Sequence, residues 1–287
     1  MRSNRTTLCR GRCSALLAAL ADPALGRIEA SRLAVVLAHP DDEAIAYGAQ
    51  LGRLEGVSVV IVTDGAPRDL RDARRLGFAT ARDYAIARKQ ELNAALALAR
   101  ICHDRIECLD VPDQEVAFRM PRVSLDLARL LAQRGIETVL THAYEGGHPD
   151  HDATALCVHA ASALQDGSRR HRIGIVEAPL YRLGAHGIVR QEFAKPRHPG
   201  ELALRLSARR SELKRQMIAA HRTQREVLAP FRFDIERFRP APGYDFAQRP
   251  NAGRVLYDQH PWGLRSAHWP ELARAAWAHL HLRRTPC

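Results

Sequence analysis

Two short segments concentrate the residue types that do chemistry: His39-Pro40-Asp41-Asp42 and His148-Pro149-Asp150-His151. Each follows a strand-like apolar run and opens a helical pattern. Proline is tolerated at the first helical position, where its missing N–H would have no partner, so His39 and His148 should sit at strand-to-helix corners. His39, Asp42 and His151 would then supply two imidazole nitrogens and one carboxylate oxygen, the ligand set of a catalytic zinc that keeps a fourth position for water. Adjacent residues at a helix start point about 100° apart. With Asp42 on the metal, Asp41 would face the water as general base, whose pKa zinc brings to about 7. His148 would stabilise the oxyanion of a tetrahedral intermediate, with Asp150 orienting its imidazole. Either tetrapeptide alone reads equally as a helix-capping turn, since aspartate favours the N-terminal end of the helix dipole. The repetition of the pattern after two separate strands argues for a shared site.

The elements that must position these residues alternate between apolar runs and helical patterns, the signature of a buried, mostly parallel sheet with crossover helices. Leu33–Ala38 reads as the first strand, Asp41–Leu54 as a helix, and Val57–Thr63 as the second strand. A polar, arginine-rich loop spans Ala66–Ala81, long enough for a substrate lid. A helix over Arg82–Arg100, a strand over Ile106–Val111, a helix over Arg122–Arg134 and a strand over Glu137–Thr141 follow. The helix after His148 runs to about Leu164, Ile173–Ala178 is a further strand, and Gly187–Phe193 reads as an edge strand. Glu201–Val227 reads as one long amphipathic helix, and a Trp269–Leu282 helix ends a Pro-, aromatic- and Arg-rich tail. The corners at the carboxyl ends of parallel strands are where ligands bind in open sheets.

The formal charge is +11, from 43 basic and 32 acidic residues, yet only Lys89, Lys195 and Lys214 are lysines and the arginines are dispersed. Nucleic-acid binding, which needs clustered basic side chains, is disfavoured. Seven basic residues against Glu201 and Glu212 lie between Glu201 and Arg225; a solvated face or an acidic partner would explain them. Six cysteines (Cys9, Cys13, Cys102, Cys108, Cys157, Cys287) form no C-x-x-C pair and read as reduced, mostly buried thiols. Cys13–Ala21 after four arginines has the outline of a signal peptide, and an amphipathic helix is the plainer reading. No apolar run approaches the ~20 residues of a membrane span. The expectation is a soluble, cytoplasmic protein, alone or as a homo-oligomer, with export as the alternative.

Ala38-His-Pro-Asp-Asp-Glu43, Gly147-His-Pro-Asp-His151, Val62-Thr-Asp-Gly65, Arg88-Lys-Gln-Glu91 and Ala220-His-Arg-Thr-Gln224 closely resemble the motifs of the LmbE-like, or PIG-L type, N-acetylglucosaminyl deacetylases. The resemblance covers roughly residues 33–230. It implies a Rossmann-like three-layer α/β sandwich with a C-terminal helical or irregular extension, divided as 1–32 extension, 33–230 deacetylase domain and 231–287 extension packed on it. It also implies one Zn2+ on His39, Asp42 and His151, Asp41 as base, His148 at the oxyanion or amine, and an N-acylated sugar or glycoconjugate as substrate. Some members contact the sugar through an arginine, for which Arg88 is the nearest match; pairing with Glu91 is the alternative. A tyrosine that other members place at position 146 is replaced by glycine. Asp64 either contacts substrate or caps a turn, and Asp113 and Glu115 share that ambiguity. His221 is a core histidine or a ligand, and Trp262 and Trp269 are tail packing or a sugar-stacking surface. The competing functions are an amidase on a thiol conjugate or secondary metabolite and, from another class, a basic nucleic-acid-binding or adaptor protein with a structural or vestigial metal site.

Overall fold

The computed structural model describes residues 2–167, 172–194 and 200–282. Lys195 and Cys287 lie outside them, as does the side chain of Cys9. Strands β1 (Ile28–Glu29), β2 (Leu33–Leu37), β3 (Leu54–Glu55), β4 (Ser58–Thr63), β5 (Ile106–Val111), β6 (Thr138–His142), β7 (Gly174–Ala178), β8 (Tyr181–Leu183), β9 (Ile188–Arg190), β10 (Leu202–Arg205) and β11 (Ile235–Pro240) alternate with helices. The helices are α1 (Arg2–Ala21), α2 (Asp42–Leu51), α3 (Arg71–Arg75), α4 (Ala81–Leu98), α5 (Val116–Gln133), α6 (Pro149–Gly167), α7 (Ala208–Ala220), α8 (Arg225–Leu228) and α9 (Trp269–His279). No helix among the described residues is long and apolar enough to cross a membrane.

Seven strands form one sheet in the order β10-β11-β7-β6-β2-β4-β5. β7, β6, β2, β4 and β5 run parallel, whereas β11 and β10 add antiparallel. From β2 the chain winds outward through β4 to β5, then returns to place β6 on the other side of β2 (Leu33 opposite Thr138). That reversal is the switch point where ligands bind at the carboxyl ends of strands, and it lies between the strands that precede His39 and His148. β2 and β4 are buried on both faces, as parallel strands covered by crossover helices must be. Val35, Leu37, Val59 and Ile61 pack under α1, α2, α4 and α7; Ala34, Val36, Val60 and Val62 pack under α5, α6 and α9. This is a three-layer α/β sandwich.

Four expectations change. The span Glu201–Val227 is not one helix: Leu202 and Leu204 turn inward from β10, paired with β11, and Ser207 caps α7 by accepting from Arg210 N–H. Nor does its basic run face solvent throughout, since Lys214 is fully buried against Glu236, 3.1 Å away. The edge strand Gly187–Phe193 shrinks to β9, which forms a separate hairpin with β8. Helix α5 begins at Val116 and carries Pro121 inside. Local rules favour a start after proline, but the apolar face of Val116, Met120, Val123, Leu127 and Leu131 continues through it. None of the described cysteines is in a disulfide; Cys13 and Cys157 are buried, Cys108 is half-buried and Cys102 is exposed.

α1 covers the sheet with Leu17 and Leu20. Arg53 ties its last turn down, donating to the carbonyls of Ala19, Leu20, Asp22 and Leu25. At the other end of the chain β11 completes the sheet, and the segment after it packs on α5 and on the loop before His148.

Candidate active site

The corner after β2 is strained. Asp41 has φ 130°, unusual for a non-glycine residue,, and such backbone persists only where its surroundings over-determine it. Here they do. Asp41 N–H donates to Glu43 Oε2 at 2.8 Å, and Glu43 Oε1 meets His221 Nε2 at 2.7 Å. His221, 1% exposed, is thus a core histidine that reaches the site through Glu43. The Asp41 carboxylate is held by Arg88 at 2.7 Å. Arg88 also donates to Pro40 and Gly65 carbonyls at 2.5 and 2.6 Å. Glu91, its alternative partner, accepts from Thr223, so Arg88 fastens two loops around Asp41. A side chain at Gly65 would collide with the guanidinium at 2.8 Å.

Potential ligand atoms of three residues converge. His39 Nδ1 is 3.2 Å from His151 Nε2 and 3.3 Å from Asp42, whose other oxygen is 3.2 Å from His151 Nε2. Bonds of about 2.0–2.1 Å to a tetrahedral metal separate its ligands by about 3.3–3.4 Å, so the spacing suits a zinc-sized cation. Overlapping sets also approach one another: His39, His148 and His151; His39, Asp113, His148 and Asp150; Asp42, His142 and His151. Hydrogen bonds separate their duties. Asp113 Oδ1 takes the far nitrogen of His39, Nε2, at 3.1 Å. That assigns the proton to Nε2 and the lone pair to Nδ1. His142 Nε2 accepts from Ala38 N–H at 2.8 Å, committing that lone pair, and its ring stacks on His151 at 4.2 Å.

Asp150 does not turn its carboxylate to His148. It accepts from Gln114 and Val116 N–H at 2.6 and 3.0 Å, capping α5 from 34 residues away. His148 is oriented by main chain: Nδ1 accepts from Asp150 N–H at 3.2 Å, leaving Nε2–H as the donor. Asp64 closes its own turn, accepting from Ala66 and Asp113 N–H, and pairs with Arg68 at 2.5 Å. Glu115 pairs with Arg119 on the surface. The loop before His148 is fixed by Asp152, which accepts from Glu145 and Gly146 N–H. Gly147 lies so close to Tyr181 that a Cβ would fall 2.1 Å from its carbonyl oxygen.

The charges follow from this packing. Burial lifts Asp41 to about 7, opposed by Arg88. Burial would lift Asp42 too, but the imidazoles of His151 and His142 hold it well below the carboxylate range. Burial also works against a charge on His39, and the carboxylates of Asp113, Asp150 and Asp42 together outweigh it, raising the imidazole. His148 is lowered, by burial and then by His39. Asp41, His39 and His148 are 6–7% exposed, so the cluster is nearly sealed yet touches the surface. A cavity of about 410 Å³ begins at Pro40 and Thr63 and is bounded by Asp64, Arg68, Arg82 and Lys89. A groove of about 430 Å³ between α5 and α6 has no carboxylate or imidazole in its lining.

Sequence patterns gave no sign of His142 and left Asp113 undecided, although His142 ends β6 and Asp113 follows β5 at the same carboxyl edge of the sheet. The sequence of residues 34–162 matches the family model PIG-L, described as GlcNAc-PI de-N-acetylase. No curated protein matches the chain. Among solved structures, the A40926 pseudoaglycone deacetylase is 21% identical with a TM-score of 0.57, covering 74% of this chain and 97% of that one. The N,N'-diacetylchitobiose deacetylase of Pyrococcus horikoshii is 20% identical (TM-score 0.53; 74% and 78% covered). The zinc-inhibited form of teicoplanin deacetylase is 15% identical (TM-score 0.51; 73% and 98% covered). At these identities the structures share a fold, and the stretch that matches the PIG-L family model, residues 34–162, holds both His-Pro motifs.

Proposed function

We propose that this chain is a zinc-dependent hydrolase that removes an N-acetyl or related acyl group from an amino sugar or glycoconjugate. The observation that carries it is the convergence of His39 Nδ1 and His151 Nε2, 3.2 Å apart, on the Asp42 carboxylate, one oxygen of which is 3.3 Å from His39 and the other 3.2 Å from His151. Two imidazoles and a carboxylate are the donor set of a catalytic zinc site; Asp42 Oδ2 accepts from His39 N–H at 2.8 Å, which orients the carboxylate. When bound, the metal supplies Lewis acidity toward an amide carbonyl and toward water.

The chain's own groups do the remaining work. Asp41, fixed by Arg88 and its strained backbone, takes the proton of the attacking water. His148, with Nδ1 occupied, points an N–H donor at the oxygen that gains charge. The same nitrogen or Asp41 returns a proton to the leaving amine. Arg88 keeps Asp41 aimed, and Asp113 fixes the His39 tautomer.

Metal analysis and acetate release test this together. Purified protein is expected to hold about one zinc per chain and to lose it in His39→Ala. Asp41→Asn is expected to keep the metal and lose roughly 10²–10⁴-fold in turnover of N-acetylglucosamine derivatives. A metal-free wild type, or an Asp41→Asn variant of undiminished turnover, would overturn the assignment.

A further inference from the structure

The family match ends at residue 162, but the wall of the site beside His148 comes from far beyond it. The C-terminal segment is welded to the second motif: Leu256 N–H donates to the Gly146 carbonyl at 2.8 Å and Tyr144 O–H to that of Gln248 at 2.7 Å. From this base a loop rises, closed on itself by Asp258, which accepts from Ser266 N–H at 2.7 Å and from its hydroxyl at 2.5 Å. Its crest carries Trp262. The indole lies 4.7 Å from the His148 ring, tilted by 43°, and stacks on His260 at 4.2 Å and 11°. Arg71, from the loop after β4, donates to the Pro261 carbonyl at 3.0 Å, so the two rims of the site meet at this crest.

Of the tail's three tryptophans, Trp262 and Trp277 are partly buried and Trp269 is fully buried; of the two partly buried ones, Trp262 is the one in ring contact with His148. Trp269 is fully buried, its Nε1–H given to Phe246 O at 3.0 Å, which is what packing asks of an indole. Trp262 is only partly buried, on a pinned loop, next to an imidazole that is itself 7% exposed. A rigid flat ring loses little entropy on contact, and its apolar face complements the C–H patch of a pyranose while its edge stays wet.

We infer that Trp262, backed by His260, is an aromatic shelf that seats the ring of a carbohydrate substrate beside His148. The inference deepens the proposed deacetylase function and rests on it for the choice of ligand. It makes the C-terminal segment part of the substrate site.

Binding measured apart from turnover tests it. Zinc-loaded full-length protein is titrated calorimetrically with N-acetylglucosamine and with N-acetylethanolamine, which has the amide but no ring. Trp262→Ala is expected to weaken the sugar about tenfold, the loss of one aromatic stacking contact. N-acetylethanolamine should shift by less than about twofold, and Trp262→Tyr should restore the sugar to within about threefold. Trp262→Leu, which keeps apolar bulk against His148 without a flat face, should behave as the alanine variant and carries the comparison if alanine unfolds the loop. Unchanged sugar affinity in the alanine or leucine variant, or equal weakening of both ligands, overturns the shelf. Sugar binding that depends on Trp262 without acetate release from any sugar would sink the deacetylase reading and leave the shelf standing. Acetate release from the sugar with an unchanged KM in Trp262→Leu would do the reverse.

Discussion

At the scale of single residues, the site is a set of lone pairs whose direction is decided by hydrogen bonds on the far side of each ring. Asp113 shows this most plainly, because its 3.1 Å contact to His39 Nε2 turns Nδ1 toward Asp42 and His151. Carboxylates that fix a ligating histidine in this way are worth 10–100-fold in metal affinity. Asp113→Asn is therefore expected to weaken zinc by about that factor without removing any ligand, a change that competition with a chelator reads directly. An unchanged affinity would show that His39 is oriented by other contacts. The grouping of His39, Asp42 and His151 was legible in the sequence because it follows a local grammar of strand, His-Pro and acid. Asp113 and His142 were not, since nothing near either residue in the chain distinguishes a strand-end carboxylate or imidazole that faces the site from one that faces water.

At the scale of elements, the same contrast holds between local and distant causes. The strands β2, β4, β6 and β7 were readable from apolar runs, because burial on both faces leaves little else. The start of α5 was hidden: its cap is Asp150, 34 residues downstream, and Pro121 sits inside it. The long helix was misjudged at its start, where β10 forms instead, and along its basic face, because Lys214 looks solvated in any periodic reading. In the fold it donates to the Ile45 carbonyl at 2.6 Å and to Glu236 at 3.1 Å, locking α7 onto α2 and β11. Removing one member of a buried pair strands the other, which costs about 3–5 kcal/mol. Lys214→Met should lower unfolding stability by about that amount, and the double variant with Glu236→Leu should recover most of it. Denaturant unfolding checks this, and a double variant no better than the single one would argue against the pair.

At the scale of the whole molecule, stability depends on groups that burial keeps neutral. His159 on α6 touches the rings of Tyr244 and Phe246. Burial, with the charge of Arg172 behind it, lowers its pKa to about 4. The unfolded chain, with an ordinary value of about 6.5, binds this proton first. Between pH 6.5 and 4 the unfolded state holds more protons, so stability rises with pH and is lost as pH falls through that window. Replacing His159 with phenylalanine should flatten this acid loss by about 2 kcal/mol in unfolding at pH 5 against pH 7.5. Equal slopes for the two proteins would place the acid sensitivity elsewhere.

β11 has a further consequence. It covers β7 through Arg239 opposite Glu177 and Pro240 opposite Val176, and without it a buried parallel strand becomes a bare rim of unpaired N–H and C=O groups. Such rims template pairing with other chains. A chain cut after Pro230 would lose β11, and Glu236 with it, so it should self-associate into insoluble material even though both His-Pro motifs are retained. A soluble monomer of that length, by light scattering, would refute this. The residues that guard the molecule against aggregation thus lie in the same C-terminal stretch as Trp262.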